Sequence, residues 1–215
     1  MKTQILIADD HAIIRDGVRK IVSDTVDLEV AGEARDGNMV LDRVRERDWD
    51  VLLMDLSMPG RHGIDLIRLV KAERAKLPIL VFSMHQEEQF AVRSIRAGAS
   101  GYLSKESDSD LLIPALRKVA GGGVFISPKV AELLATDVSR RTDGPAHTLL
   151  SDREFEVFSE IVRGVSLTDI AAKLSLSIKT VSTHKSNILA KMNLASTVDL
   201  FRYAVEHDLL DLTRE

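Results

Sequence analysis

Short apolar runs alternate with segments of helical periodicity through the first 120 residues of the chain. Five runs have the length and composition of buried strands: Ile5–Ala8, Val30–Ala34, Val51–Asp55, Ile79–Ser83 and Tyr102–Ser104. After each run, apolar residues recur every three or four positions, as on one face of a helix. Because strands joined through helices lie parallel in one sheet, the pattern predicts an α/β fold. We expect a doubly wound five-stranded parallel sheet with helices on both faces.

This alternation stops at three consecutive glycines, Gly121–Gly123. The stretch Thr136–His147 is polar and contains Gly144-Pro145, which is typical of a linker. From Leu149 onward the periodicity is purely helical. We therefore expect a first domain over residues 1–122, a linker over 123–147, and a small all-α domain over 148–215.

Three helices are predicted at the start of the all-α domain. The first begins with a capping box, in which Ser151 is the N-cap and Glu154 follows three residues later. The second covers Leu167–Leu174, and the third covers Ile178–Met192. Such a short connection between the second and third helices favours a helix-turn-helix. An ordinary helical bundle is the alternative.

Composition narrows the class of protein. Of the 215 residues, 45% are hydrophobic and 29% are charged, as in an ordinary globular chain. There is no cysteine, no signal-peptide pattern and no apolar run long enough for a membrane span, so we expect a cytoplasmic protein with no membrane partner. The net charge of −4 means that any nucleic-acid binding must come from a local basic patch.

Five polar residues lie at the carboxyl ends of the predicted strands: Asp9, Asp10, Asp55, Ser83 and Lys105. The carboxyl edge of an open parallel sheet is where such folds bind ligands. Carboxylates suit Mg²⁺ together with a phosphoryl group, and a carboxylate can itself become phosphorylated. Asp55 is the best candidate for the nucleophile because it ends the central strand. The alternative is that the aspartates only cap the following helices.

The segments ADDH (8–11), DLSMPG (55–60), SMH (83–85) and GYLSK (101–105) resemble a response-regulator receiver domain, which has a flavodoxin-like fold. The resemblance implies that Asp55 is the phosphoacceptor. It also implies that Mg²⁺ is held by Asp10, Asp55 and the backbone carbonyl of Ser57, with Asp9 acting mostly through water.

The same resemblance implies a switch. On phosphorylation the Ser83 hydroxyl moves to the phosphate, Lys105 pairs with a phosphate oxygen, and Tyr102 turns inward. Tyr102 has a plainer alternative as an amphipathic core residue. Ser57 and His85 are expected to tune the lifetime of the phosphoryl group by placing water, although His85 equally suits an exposed loop. We interpret His11 as a surface or capping residue.

The faces of the third helix of the all-α domain follow from a rotation of 100° per residue. Its apolar side is predicted to be a core stripe of Ile178, Val181, Ile188, Leu189 and Met192. The predicted DNA contacts are Lys179, Thr180, Ser182, Thr183, Lys185, Ser186 and Asn187. Four lysines and no acid lie between Lys173 and Lys191, which gives a weak local basic stripe. The outward face has no arginine for bidentate guanine contacts, so we expect degenerate half-sites.

The segments LSDRE (150–154), IAAKL (170–174) and LSIKTVSTHKSNILAKM (176–192) resemble the LuxR-like helix-turn-helix of NarL/FixJ response regulators. Together the two resemblances imply a phosphorylation-controlled transcriptional regulator of a two-component system. The implied partners are a cognate sensor histidine kinase, DNA with inverted or degenerate half-sites, and a second copy in an activated homodimer. The expected dimer seam on the last helix is Val198, Phe201, Val205 and Leu209.

Two rival functions follow from the same residues. An aspartate-nucleophile phosphatase usually has a second acid two residues after the nucleophile, and Ser57 at that position favours a regulator that is not an enzyme. A phosphorylation-independent DNA-binding protein with a vestigial receiver is the other rival. The complete set of five polar residues weighs against it.

Overall fold

The computed structural model describes residues 2–59, 63–84, 87–139, 145–207 and 209, with only the backbone described for 87–89 and 136–139. The chain divides into two compact units, Met1–Thr136 and Asp137–Glu215. The domain boundaries at residues 122 and 148 stay predictions. Among the described residues, no helix combines the length and apolar character needed to cross a membrane.

The first unit contains a five-stranded parallel sheet, which confirms the predicted fold class. Its strands are β1 Thr3–Ala8, β2 Leu28–Ala34, β3 Val51–Met54, β4 Ile79–Ser83 and β5 Gly101–Ser104. They lie in the order β2-β1-β3-β4-β5, so the order of the strands reverses between β1 and β3. A ligand crevice forms at such a reversal, outside the carboxyl ends of the strands.

Helices cover both faces of the sheet. The first unit has α1 Ala12–Ser23, α2 Gly37–Glu46, α3 Gly63–Glu73, α4 Glu87–Arg96 and α5 Leu112–Ala120, followed by α6 Pro128–Ser139. Alternate strand residues such as Ile5, Ile7 and Leu53 form one core with α1 and α5. The intervening residues, such as Leu6 and Leu52, are equally buried toward the other face. Burial on both faces explains why these strands are continuously apolar.

The chain after α5 returns to the edge of the sheet, which the sequence pattern did not predict. The Phe125 carbonyl accepts a hydrogen bond from Tyr102 N–H at 2.9 Å, and Phe125 N–H donates to the Ser100 carbonyl at 3.0 Å. This single bridge lies beside Gly101, where an added Cβ would come within 2.8 Å of the Phe125 carbonyl oxygen. It covers part of the open edge of β5. Helix α6 then forms within the predicted linker.

The second unit is helical. Its helices are α7 Asp152–Val162, α8 Leu167–Lys173, α9 Ile178–Met192 and α10 Thr197–Glu206. The predicted capping box is present, with the Ser151 side chain accepting from Glu154 N–H and the Glu154 side chain accepting from Ser151 N–H. Between α8 and α9 the chain turns through Ser175, whose φ of 51° lies in the left-handed region. Ser177 then caps α9, which gives the tight turn of a helix-turn-helix.

The predicted core stripe is wrong at one residue, Ile178. Val181, Ile188 and Met192 are buried and Leu189 is half-buried, but Ile178 is 52% exposed. Ile178 is the first residue of α9 and precedes Val181 by about one turn. The packing of α9 against α7 and α8 therefore begins one turn later than the helical wheel indicates.

Candidate functional site

The carboxyl ends of β1, β3 and β5 bring three charged side chains into direct contact. The Lys105 ammonium lies 2.6 Å from Asp9 Oδ2 and 2.7 Å from Asp55 Oδ2, and all three side chains are almost completely buried. The loop after β3 is held to the first strand because Asp55 N–H donates to the Ala8 carbonyl at 2.9 Å. Lys105 N–H donates to the Ser83 carbonyl at 2.9 Å, which joins the end of β5 to β4.

The environment of Lys105 keeps it charged. Burial lowers the pKa of its ammonium group, but the charges of Asp55 and Asp9 and the hydrogen bonds to them outweigh this effect. The net result is a pKa above the ordinary value. One buried cation therefore faces two buried carboxylates, and the local charge is unbalanced toward the negative side.

Two further side chains enlarge the acidic pocket. Ligand atoms of Asp9, Asp10, His11 and Asp55 all lie within 4.8 Å of one another. His11 Nδ1 lies 3.0 Å from Asp10 Oδ1 and 3.2 Å from Asp9 Oδ1. Three carboxylates in one crevice form the oxygen-rich donor set that a hard divalent cation prefers. The residues present therefore fit a metal ion such as Mg²⁺.

His11 has more contact with the pocket than a surface or capping role implies. Its side chain is exposed and makes no capping hydrogen bond to α1, but its backbone N–H donates to Asp9 Oδ1 at 2.8 Å. Its position directly after the aspartate pair was the available signal in the sequence.

The other predicted switch residues differ in their burial. Ser83 and Tyr102 are fully buried, and the aromatic ring of Tyr102 therefore already lies inside the unit. Ser57 is half-buried, and its N–H donates to Asp55 Oδ1 at 3.2 Å. The predicted role of His85 concerns a residue outside the described part of the chain.

The predicted DNA contacts form an accessible face of α9. Lys179, Ser182, Thr183, Ser186 and Asn187 are exposed, whereas Thr180 and Lys185 are half-buried. The Thr183 hydroxyl donates to the Lys179 carbonyl at 3.0 Å, and the Ser186 hydroxyl donates to the Ser182 carbonyl at 3.1 Å. Their remaining lone pairs point away from these bonds and can accept hydrogen bonds from a ligand.

His184 lies beside this face and is half-buried. Its Nδ1 atom is buried without a hydrogen-bond partner in the described structure. Burial and the nearby Arg153 lower the pKa of His184, against a smaller opposing effect of Glu154. The ring is therefore more easily kept neutral than an exposed histidine.

Two of the four lysines in the basic stripe are engaged inside the unit. Lys191 Nζ lies 2.6 Å from Glu154 Oε2, and Lys173 Nζ lies 2.9 Å from Glu160 Oε1. Both glutamates are buried on α7. Within the described ranges, Lys179 and Lys185 have no ion pair with an acid. The count of four lysines in the sequence therefore overstates the positive charge that α8 and α9 can present to a polyanion.

Three residues of the predicted dimer seam, Val198, Phe201 and Val205, lie on α10, whereas Leu209 lies beyond its end at Glu206. Val198 is 66% exposed and Val205 is 48% exposed, whereas Phe201 and Leu209 are half-buried. The opposite side of α10 is anchored, because Leu200 and Ala204 are fully buried there. The helix thus carries an apolar strip that its own unit covers only in part.

Comparison with known families assigns each unit. Residues 5–117 match the response regulator receiver domain, and residues 148–204 match the luxR family of bacterial regulatory proteins. The chain is similar to the oxygen regulatory protein NreC of Staphylococcus carnosus, with 36% identity over 97% of this chain and 99% of that protein. It is also 36% identical to the transcriptional regulatory protein DegU of Brevibacillus brevis, over 89% of this chain and 88% of that protein.

The chain is also similar to solved structures of response regulators. RcsB from Salmonella enterica serovar Typhimurium, bound to the promoter rprA in the presence of phosphomimetic BeF₃⁻, superposes with a TM-score of 0.68 at 28% identity. That match covers 94% of this chain and 98% of the RcsB chain. A structure of an RcsB–DNA complex matches with a TM-score of 0.59 at 30% identity, covering 95% of this chain and 98% of that one.

Proposed function

The chain belongs to the response regulators that combine a receiver domain with a LuxR-type DNA-binding domain, and from this premise we propose that phosphorylation of Asp55 controls it. It is a DNA-binding transcriptional regulator of a two-component system. The observation that carries the proposal is the buried contact of Asp9 and Asp55 with Lys105, at the reversal of strand order.

The proposed chemistry is a phosphoryl transfer to the Asp55 carboxylate. An Asp55 oxygen attacks the phosphorus of the donor, and a P–O bond of an acyl phosphate or a P–N bond of a phosphohistidine breaks. The bonding electron pair leaves with the donor oxygen or the imidazole nitrogen. Lys105 already contacts Asp55 Oδ2, so its ammonium is in place to pair with an oxygen of the new phosphoryl group.

Mg²⁺ is the proposed metal. Asp10, Asp55 and the Ser57 backbone carbonyl would hold it, with Asp9 acting through water. When bound, the ion supplies positive charge that neutralises the phosphoryl oxygens. The buried Ser83 hydroxyl would then donate a hydrogen bond to the same group, with Tyr102 behind it. Ser57 and His85 would adjust the lifetime of the phosphoryl group by positioning water.

The proposed output is binding of a dimer to two half-sites. The exposed face of α9 would enter the major groove, with Lys179 and Lys185 near phosphates. Thr180, Ser182, Thr183, Ser186 and Asn187 would contact bases or backbone. Of the four lysines in the stripe, Lys179 and Lys185 alone have no ion pair within the described residues. One copy should therefore bind DNA weakly and need a second copy. RcsB has been described as dimers bound to DNA, which supports this output for a relative at 30% identity.

The proposed phosphodonor in the cell is a sensor histidine kinase, as expected for a receiver domain. Phosphorylation would shift an equilibrium between inactive and active states of the chain, and the active state would dimerise through α10.

Intact-protein mass spectrometry tests the phosphoacceptor directly. Wild type and Asp55→Ala are incubated with a small acyl phosphate in the presence and absence of Mg²⁺. We expect one added phosphoryl group on the wild type with Mg²⁺ and none on Asp55→Ala. Equal labelling of both proteins would exclude Asp55, and no labelling of either would indicate a vestigial receiver.

A further inference from the structure

A buried arginine beside the acidic pocket is not used by the chemistry proposed above. Arg15 lies in the first turn of α1, five residues after Asp10, and is only 5% exposed. Its Nη1 donates to the Asp9 backbone carbonyl at 2.7 Å, and its Nε donates to Glu33 Oε2 at 3.0 Å. A buried guanidinium is expensive unless it is paired, so these two bonds fix its position.

The carbonyl that Arg15 binds belongs to the peptide group joining Asp9 to Asp10. A peptide group is planar, so holding its oxygen fixes the plane from which the Asp10 backbone departs. On the other side of the residue, Asp9 N–H donates to the Ala34 carbonyl at 3.1 Å. Both backbone polar groups of Asp9 are therefore held by partners outside the loop.

Asp10 itself depends on this backbone support. Its side chain is one-third exposed, and its contact with His11 joins it to another exposed side chain of the same loop. Asp9, by contrast, is buried against Lys105. The peptide plane that Arg15 holds therefore constrains the point from which the Asp10 residue projects.

Glu33 holds Arg15 from the second strand. It lies opposite Ile7 in the register of β1 and β2, and it also forms an ion pair with Arg19 of α1. Arg19 is half exposed, and its ion pairs are with Glu33 and Asp16. The two arginines thus share one acid, but Arg15 is the one that reaches the Asp9 carbonyl.

We propose that Arg15, fixed by Glu33, is a positioning residue that orients the Asp9–Asp10 peptide so that Asp10 can bind the divalent cation. This inference rests on the proposed function, in which Asp10 is a direct ligand. Partners that orient metal ligands typically change metal affinity by about 10- to 100-fold when they are removed. The effect of Arg15 should therefore fall on cation affinity and not on the chemistry at Asp55.

Isothermal titration calorimetry with Mg²⁺ tests this assignment on the full chain. The variants are Arg15→Met, the conservative Arg15→Lys, and Arg19→Met as a matched control that loses a Glu33 partner but not the Asp9 contact. We expect the Mg²⁺ dissociation constant to rise by about 10- to 100-fold in Arg15→Met and by less in Arg15→Lys. In Arg19→Met it should stay within about twofold, because the Asp9 contact is kept.

A second measurement separates positioning from loss of structure. The rate of phosphoryl uptake is followed against Mg²⁺ concentration, at a temperature where circular dichroism shows each variant to be folded. For both Arg15 variants, the half-saturating Mg²⁺ concentration should rise while the rate at saturating Mg²⁺ approaches that of the wild type. Folded Arg15 variants with wild-type Mg²⁺ affinity would overturn the inference alone. A wild type that binds no Mg²⁺ would overturn the proposed function and this inference with it.

Discussion

At the scale of single residues, the acidic pocket contains more negative than positive side chains. Three carboxylates, Asp9, Asp10 and Asp55, face the single Lys105 ammonium, so the pocket has a net negative charge. Like charges in one crevice repel one another, the more so because Asp9 and Asp55 are buried, and a bound divalent cation would reduce that repulsion. We therefore expect the metal-free pocket to lower the stability of the fold, as is common at functional sites.

This imbalance predicts changes of opposite sign at two residues. Without Mg²⁺, Asp10→Asn should raise the free energy of unfolding by about 0.5–1 kcal/mol, because it removes one repelling carboxylate. Lys105→Met should lower it by about 3–5 kcal/mol, because two buried carboxylates lose their cation.

Urea unfolding with and without Mg²⁺ measures both effects. Mg²⁺ should stabilise the wild type by binding to its folded state, and it should no longer do so in Asp10→Asn. The exposed Lys76 provides a control, since Lys76→Met should change stability by no more than about 0.5 kcal/mol. The same sign for Asp10→Asn and Lys105→Met would contradict the charge argument.

At the scale of elements, ion pairs from α7 stabilise the second unit, and α9 presents the exposed polar face. The buried glutamates of α7 bind the lysines that flank the recognition face, Lys173 and Lys191. These pairs hold α8 and α9 against α7 but neutralise part of the charge that DNA would otherwise meet. In the proposed complex with DNA, we therefore expect the electrostatic part of binding to come mainly from Lys179 and Lys185.

The dependence of DNA affinity on salt concentration measures how many lysines neutralise DNA phosphates. Each lysine that neutralises a phosphate contributes about 0.9 to the slope of log K against log salt. Lys185→Gln should therefore lower the slope by about 0.9 per bound copy. The charge-neutral double substitution Glu154→Gln with Lys191→Gln should leave the slope unchanged, because glutamine at 154 keeps the capping box.

Fluorescence anisotropy with a labelled duplex at several salt concentrations gives these slopes. If the double substitution lowered the slope as much as Lys185→Gln, Lys191 would have to contact DNA in spite of Glu154. Thermal unfolding of each variant checks that the second unit is still folded.

At the scale of the whole molecule, the proposed activation joins two copies of the chain. The exposed strip of α10 offers Val198 and Val205 as contacts, on a helix whose other side is fixed by Leu200 and Ala204. Apolar area on an anchored helix is a suitable seam, because its burial requires little reorganisation. In such a dimer, binding of one copy to DNA holds the second copy at a high effective concentration near its half-site. The dimer then binds DNA more tightly than either copy alone.

A charge placed in this seam should uncouple the two copies. After phosphorylation, the wild type should bind a duplex with two half-sites at least about tenfold more tightly than a duplex with one half-site. Val198→Glu should abolish most of this gain while leaving binding to one half-site unchanged. Val26→Glu is the matched control, since Val26 is an exposed valine of the first unit.

Sedimentation velocity of the phosphorylated proteins gives an independent result. Wild type and Val26→Glu should form dimers, and Val198→Glu should remain mainly monomeric. A fully dimeric Val198→Glu that kept the two-site gain would place the seam elsewhere on the chain.

Local periodicity determined the elements and the edge of the sheet where the site lies. Apolar runs of three to five residues predicted the five strands. Asp55, Ser83 and Lys105 could be assigned to strand ends from their positions alone. The third helix of the second unit was predicted to the residue as Ile178–Met192. In the structure Ser177 caps it and Asn193 ends it in the left-handed conformation. These features depend on neighbours within about one turn or one strand, which the sequence contains directly.

Only the tertiary structure decided which charges meet. Lys105 contacts Asp55 across 50 residues, Lys191 contacts Glu154 across 37, and Arg15 reaches Glu33 across 18. Whether such groups touch depends on strand order, helix packing and side-chain reach. Periodicity indicates the face on which a residue lies but not the partner opposite it. For the same reason the exposure of Ile178 and the bridge from Phe125 to β5 became visible only in the folded chain.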